Sequence, residues 1–153
     1  MEQRPVGDSG LKVSRLGLGT MTWGRDTDEH ESRDQLVAFR EAGGTLVDTA
    51  AGHGDGAAEE VLGGLLPEFG VRDDVVICTK AGIVRRGGER VLDTSRRAMI
   101  SSLDASLARL GTGHVDLWQL HAWDPVTPWE EAMAALDAAV SSGRVRYAGV
   151  SNY

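Results

Sequence analysis

The sequence predicts an α/β fold built on a parallel sheet, and three observations predict it. Five short apolar runs are spread along the 153 residues: Leu16-Gly17-Leu18-Gly19, Thr45-Leu46-Val47-Asp48, Val75-Val76-Ile77-Cys78-Thr79, Val115-Asp116-Leu117-Trp118-Gln119-Leu120 and Tyr147-Ala148-Gly149-Val150. They are too short for helices and mostly continuous rather than alternating, as strands buried on both faces of a parallel sheet read. Stripes of helical spacing separate them, and the run starts near residues 16, 45, 75, 115 and 147 lie about one βαβ unit of ~30 residues apart.

Taken in order, the chain opens with a hairpin, Arg4-Pro5-Val6 against Leu11-Lys12-Val13, turned at Asp8-Ser9-Gly10. The first helix carries Leu36, Phe39 and Ala42 on one face and stops at Gly43-Gly44. The second carries Val61, Leu62, Leu65 and Leu66, with Asp55 as its expected N-cap and Pro67 expected beyond its end. The third shows the clearest stripe, Ile100, Leu103, Leu107 and Leu110, ended by Gly111. The fourth begins at Thr127-Pro128-Trp129-Glu130, a capping-box pattern with proline at the first helical position; Met133, Leu136 and Val140 line it, and Gly143 closes it. Right-handed crossovers place all the helices outside the sheet.

Two architectures fit this order: an open doubly wound sheet, or a (β/α)8 barrel, which takes ~250 residues. On the barrel reading, residues 1–153 are a single domain that stops after the fifth strand, with Ser151-Asn152-Tyr153 coming directly off it. The first and fifth strands are then open apolar edges, to be covered by a complementary C-terminal half or by an oligomer.

Composition narrows the function classes. Hydrophobic residues make up 41% and charged residues 25%, as in a globular domain. Sixteen Lys and Arg face 23 Asp and Glu, a net charge of −7 with no basic block, which argues against nucleic acid or an anionic membrane as the main partner. No apolar run approaches the ~20 residues of a membrane span, and Met1-Glu2-Gln3-Arg4-Pro5 opens no signal sequence, so a cytoplasmic protein is expected. Cys78 stands alone, without a disulfide partner or a cysteine zinc cluster, and reads as an inert small hydrophobe in a strand.

In either architecture chemistry belongs at the carboxyl ends of the strands. Asp48, Lys80 and His121 end the second, third and fourth strands, His53 follows the second, and Ser151-Asn152 follow the fifth. Each has a plain reading alone: a structural ion pair for Asp48 and Lys80, a core histidine for His121, a loop residue for His53. On successive strand ends an acid, a base, an imidazole and an amide converge on one rim. Trp23 and Trp123 fall on that rim, where a substrate pocket wants aromatic walls, while Trp118 and Trp129 read as packing. Arg85-Arg86 could steer a phosphate or form a solvated loop. A metal-dependent hydrolase using His53, His121 and Asp48 is an alternative, but Lys80 would set a cation beside the metal, and no H-x-H or H-E-x-x-H spacing occurs. No metal is expected.

The run Leu16 to Gly24, then Val47-Asp48-Thr49-Ala50, Glu59-Glu60-Val61-Leu62-Gly63 and Cys78-Thr79-Lys80 resembles the aldo-keto reductase superfamily. So do Ser106-Leu107-Ala108-Arg109-Leu110-Gly111, Val115 to His121 and Gly149-Val150-Ser151-Asn152. Gly19-Thr20-Met21-Thr22-Trp23-Gly24 looks like the bacterial branch related to potassium-channel β subunits. The resemblance implies a (β/α)8 barrel that reduces small-molecule aldehydes and ketones with NADPH. Its catalytic tetrad is Asp, Tyr, Lys and His: Asp48, Lys80 and His121 match three members, and His53 stands where the tyrosine belongs. It also implies that Ser151 and Asn152 bind the nicotinamide carboxamide, that Asp48 touches the ribose side, and that Thr20, Met21 and Trp23 lie near the cofactor or line the pocket. Gly17 to Gly24 is not G-x-G-x-x-G, so no Rossmann nucleotide site is on offer. With Lys80 nearby, the His53 imidazole is expected to be neutral at pH 7 and a poor proton source. Impaired or absent reductase activity is therefore expected, and a non-catalytic, regulatory or remnant chain is the alternative.

Overall fold

The computed structural model describes residues 1–153. The chain opens with an antiparallel hairpin, β1 (Gln3–Pro5) on β2 (Lys12–Ser14), with Arg4 opposite Val13. Five parallel strands follow: β3 (Gly17–Gly19), β4 (Leu46–Asp48), β5 (Val76–Ala81), β8 (Val115–Leu120) and β9 (Val145–Val150). Between them run α1 (Glu29–Glu41), α2 (Ala57–Phe69), α3 (Arg96–Leu110) and α4 (Trp129–Ser141). A second hairpin, β6 (Ile83–Arg86) on β7 (Glu89–Leu92), stands between β5 and α3.

Strand order in the sheet is β3-β4-β5-β8-β9. Each new parallel strand adds to the same edge, so the order never reverses. A doubly wound sheet must reverse at its ligand crevice, whereas a barrel wall advances in one direction. This order therefore decides between the two architectures: the sheet is five strands of a (β/α)8 barrel. Thr79 lies opposite Trp118, and Trp118 opposite Ala148.

The core lies between the outer face of the sheet and the helices. Val47, Ile77, Trp118 and Leu120 from the strands meet Leu36, Leu62, Leu65, Met99, Leu103 and Leu136 from the helices, all buried. The central strand β5 is buried along nearly its whole length, while edge strand β9 leaves Ala148 and Val150 exposed. α2 and α3 approach very closely: a Cβ on Gly63 would lie 2.2 Å from the Arg109 carbonyl oxygen, so only glycine fits there. Beside that contact Glu59 is fully buried. Its carboxylate accepts from the Thr79 hydroxyl at 2.5 Å and pairs with the Arg109 guanidinium at 2.6 Å, tying α2 to both β5 and α3. No helix is long and apolar enough to cross a membrane.

Several local expectations are corrected. Asp55 does not cap α2: it sits in a left-handed conformation (φ 56°) and pairs with Arg85, leaving Gly56 as the residue before the helix. Pro67 lies inside α2 rather than beyond it; its ring removes one N–H only three residues before left-handed Gly70 ends the helix. Thr127 forms no capping box, because its hydroxyl donates to Asp124 at 2.7 Å. Pro128 is the residue before α4 rather than its first helical residue, and Glu131, in the first turn, accepts from the backbone N–H of Arg96 at the start of α3. Arg85 and Arg86 are not in an open loop but on β6, paired with Asp55 and Asp93 respectively.

Candidate active site

At the carboxyl end of the sheet, β4 ends in Asp48 and β5 carries Lys80, and their paired register turns both side chains to the inner face. The Lys80 ammonium lies 2.6 Å from Asp48 Oδ1 and donates to the Thr49 carbonyl at 3.0 Å. Lys80 is only 8% exposed, whereas the Asp48 side chain is 40% exposed. The lysine is thus held as a desolvated cation paired with a carboxylate that stays partly open to solvent, the arrangement a buried ammonium requires.

Two imidazoles stand beside this pair. His53 begins the single turn of 3-10 helix that follows β4, and His121 follows β8 directly, its N–H fixed on the Ala81 carbonyl at 2.8 Å. The rings meet edge to face with centroids 5.9 Å apart. Both Nδ1 atoms are enclosed and unpartnered. A buried N–H without an acceptor costs more than a buried lone pair, so we assign both rings as Nε2–H tautomers. That leaves each ring one N–H donor for the cleft that both residues line.

The electrostatics keep both rings neutral. Burial first, and then the Lys80 ammonium and the neighbouring ring, push the His53 pKa down to about 4, against a weaker opposing pull from Asp48. Burial, Lys80 and Arg90 lower that of His121. Cys78 shares the inner face with Lys80, but burial and the Asp48 carboxylate push its thiol up to about 12, so it is no nucleophile. His53, His121 and Asp48 are not gathered as metal ligands; no group of three His, Cys, Asp or Glu side chains is placed to hold an ion.

A model of the aldo/keto reductase family matches residues 15–153. The chain belongs to that family. Among similar aldo/keto reductase relatives, aldo-keto reductase YhdN of Bacillus subtilis is 35% identical over 158 residues, covering 100% of this chain and 47% of its own. L-glyceraldehyde 3-phosphate reductase of Escherichia coli K12 is 38% identical over 160 residues, covering 100% and 46%. The solved holo form of aldo-keto reductase AKR11C1 from Bacillus halodurans superimposes with a TM-score of 0.91 at 34% identity, over 99% of this chain and 50% of that one. The chain spans about half the length of the curated relatives it matches.

The structure brings Asp48, His53, Lys80 and His121 together at one rim. Ser151 and Asn152 reach the same rim: Ser151 N–H donates to the Leu120 carbonyl at 2.8 Å, and the Asn152 amide donates to the His121 carbonyl at 2.8 Å and to Ser151 Oγ at 3.1 Å. The Ser151 hydroxyl hydrogen and Asn152 Oδ1 remain free, one donor and one acceptor, which suits a nicotinamide carboxamide. Met21 is exposed and lines the cleft. Thr20 does not offer a group to a ligand, because it is enclosed and its hydroxyl donates to the Asp48 carbonyl at 3.2 Å. It positions the end of β4 instead.

Trp23 is corrected most sharply. It is 0% exposed and packs in the core, with its indole N–H donating to Gln35 of α1 at 2.8 Å, so it is no pocket wall. Trp123 is exposed, but it stacks on Trp129 at 6.0 Å and meets the Tyr153 ring at 5.5 Å, and it is not among the residues that line the His53 cleft. Sequence reasoning missed Arg90, which β7 brings over the site, where it donates to the Gly52 carbonyl at 3.1 Å. The hairpin is legible, since Gly87-Gly88 is flanked by Ile83-Val84 and Val91-Leu92, but its crossing over Gly52 is not.

Proposed function

We propose that this chain forms the proton-handling half of an NADPH-dependent carbonyl reductase that converts aldehydes and ketones to alcohols. The observation that carries this reading is the desolvated Lys80 ammonium, clamped by Asp48 and the Thr49 carbonyl, beside two neutral Nε2–H imidazoles that line one cleft. The name of the Escherichia coli relative, a reductase of L-glyceraldehyde 3-phosphate, supports an aldehyde as substrate.

When bound, a reduced nicotinamide supplies the hydride. Ser151 and Asn152 would hold its carboxamide. His121 orients the substrate by donating Nε2–H to the carbonyl oxygen. As a C–H bond forms and the C=O π bond opens, negative charge grows on that oxygen, and the fixed Lys80 cation stabilises it. Asp48 holds Lys80 charged and in place.

A proton must then reach the oxygen to close the alcohol O–H bond. His53 stands at the position where the family resemblance puts the proton-donating tyrosine, but a neutral imidazole is a weak acid through Nε2–H. Only its small protonated fraction is competent, so turnover at neutral pH is slow. Aldehyde-dependent oxidation of NADPH and of NADH by the intact protein, followed at 340 nm, tests the reading. Consumption that needs aldehyde and favours NADPH supports it. No aldehyde-dependent consumption of either nucleotide, even with His53→Tyr, overturns it.

A further inference from the structure

The cleft in front of the two imidazoles, about 550 Å³, contains one cation without a counter-charge. Three arginines line it. Arg25 pairs with Asp26 at 2.5 Å and Arg85 with Asp55 at 2.7 Å, but Arg90 has no carboxylate partner. With Lys80 balanced by Asp48, the cleft is left with one unmatched positive charge.

That charge is positioned rather than free. β7 turns Arg90 back over the loop after β4, where Nη2 donates to the Gly52 carbonyl at 3.1 Å. A Cβ on Gly52 would lie 2.8 Å from Arg90 Nη2 and 4.0 Å from His121 Cε1, so the guanidinium and the His121 ring flank the same small residue, immediately before His53. Any side chain at position 52 would intrude between them. One guanidinium N–H is used on Gly52, and the exposed remainder keeps paired donors in the fork geometry that fits carboxylate and phosphate oxygens.

We infer that Arg90 is an anion anchor: the carbonyl compound taken by this site carries a carboxylate or phosphate group a short chain from its reacting carbon, and that group docks on the Arg90 guanidinium. This rests on the reductase reading above. The anchor fixes the far end of the substrate while His121 fixes the carbonyl, so binding at a group that does not react orients the one that does. A neutral aldehyde of equal length leaves Arg90 solvated and gains nothing from it.

The test compares matched pairs in the intact protein with NADPH: succinic semialdehyde against butanal, and glycolaldehyde phosphate against glycolaldehyde, each with wild type and Arg90→Gln. A charge-assisted guanidinium contact predicts roughly tenfold to a hundredfold higher kcat/KM for the anionic member of at least one pair, and which pair shows it identifies carboxylate or phosphate as the anion. Arg90→Gln removes that preference through KM; its loss also relieves the downward push on the His53 and His121 pKa values, which changes the rates of both members of a pair alike and cancels in the charged-to-neutral ratio. Equal treatment of charged and neutral aldehydes by wild type, a preference that survives Arg90→Gln, or a change confined to NADPH affinity overturns the inference. A second readout does not need turnover: titrating succinate and inorganic phosphate while following the His53 and His121 imidazole resonances by NMR. Saturable shifts in wild type that vanish in Arg90→Gln support the anchor, and their absence from wild type overturns it. If wild type reduces no aldehyde but shows those shifts, the reductase reading fails and the anion site stands; reduction without charge discrimination gives the reverse.

Discussion

The position of His53 makes a quantitative prediction about pH. Burial, Lys80 and His121 hold its pKa near 4, with Arg90 acting in the same direction and Asp48 opposing. An imidazole of that pKa is protonated in about one molecule in 10³ at pH 7 and about one in 10 at pH 5. If the imidazolium is the competent acid, proton-limited turnover rises about tenfold for each pH unit from 7 to 5, roughly a hundredfold in all. His53→Tyr places a phenol of pKa ~10 beside the Lys80 ammonium, which lowers it and improves it as a donor. That variant should lose the acid rise and exceed wild type at pH 7 by tenfold or more. The assay is the initial rate of aldehyde-dependent NADPH oxidation at constant ionic strength, corrected for acid decay of the nucleotide. The depressed pKa also acts on stability: between about pH 6.5 and 4 the unfolded chain binds more protons than the folded one, so stability is lost as pH is lowered through that window. Loss of fold would lower the rate on acidification, opposite in sign to the predicted rise. A wild-type profile flat from pH 7 to 5, or one shared by His53→Tyr, refutes the reasoning.

Other consequences concern the packing that supports the site. Arg109→Ala leaves the fully buried Glu59 carboxylate with only the Thr79 hydroxyl and should cost about 3–5 kcal/mol in urea unfolding, part of it recovered when Glu59→Gln is added. Gly63→Ala puts a methyl group 2.2 Å from the Arg109 carbonyl oxygen and should cost more than about 1–3 kcal/mol, because backbone must move. Gly64→Ala, one residue on with open space around it, should stabilise the same helix by about 0.5–1 kcal/mol. Asp124 is 4% exposed; burial opposes its charge, but hydrogen bonds from the Thr94 N–H and hydroxyl, the Thr127 hydroxyl and the Val126 N–H outweigh it and bring its pKa to about 2. Its contribution is present above about pH 4 and is lost as pH falls towards 2. Acid unfolding of wild type should therefore show a loss of about 2 kcal/mol over that range that is absent from Asp124→Asn.

Much of this was legible in the amino acids because the signals were local. Runs such as Val115–Leu120 read as buried strands from continuous apolarity, and the ~30-residue spacing gave βαβ units. Asp48 and Lys80 could be paired from sequence because each is a charge at the end of an apolar strand, and a parallel sheet puts successive strand ends side by side. What sequence left open was set by longer-range contacts. Barrel and doubly wound sheet differ only in where each strand joins the sheet, which no single run encodes. Trp23 has a rim address in the chain, but its indole N–H finds Gln35 on α1, and that partner draws it into the core. Asp55 looks like a cap until Arg85, thirty residues on, takes its carboxylate. Arg90 reaches the cleft only because the β6–β7 hairpin folds back over Gly52, a crossing its own neighbours do not announce.

The central claim is that the Lys80 cation, held by Asp48, stabilises charge on a substrate oxygen. Comparing kcat for aldehyde reduction by the intact wild-type protein and by Lys80→Met tests it most directly. Loss of the ammonium should lower kcat by roughly 10²–10⁴-fold with little change in the aldehyde KM. A Lys80→Met protein that folds and turns over aldehyde at the wild-type rate would contradict it.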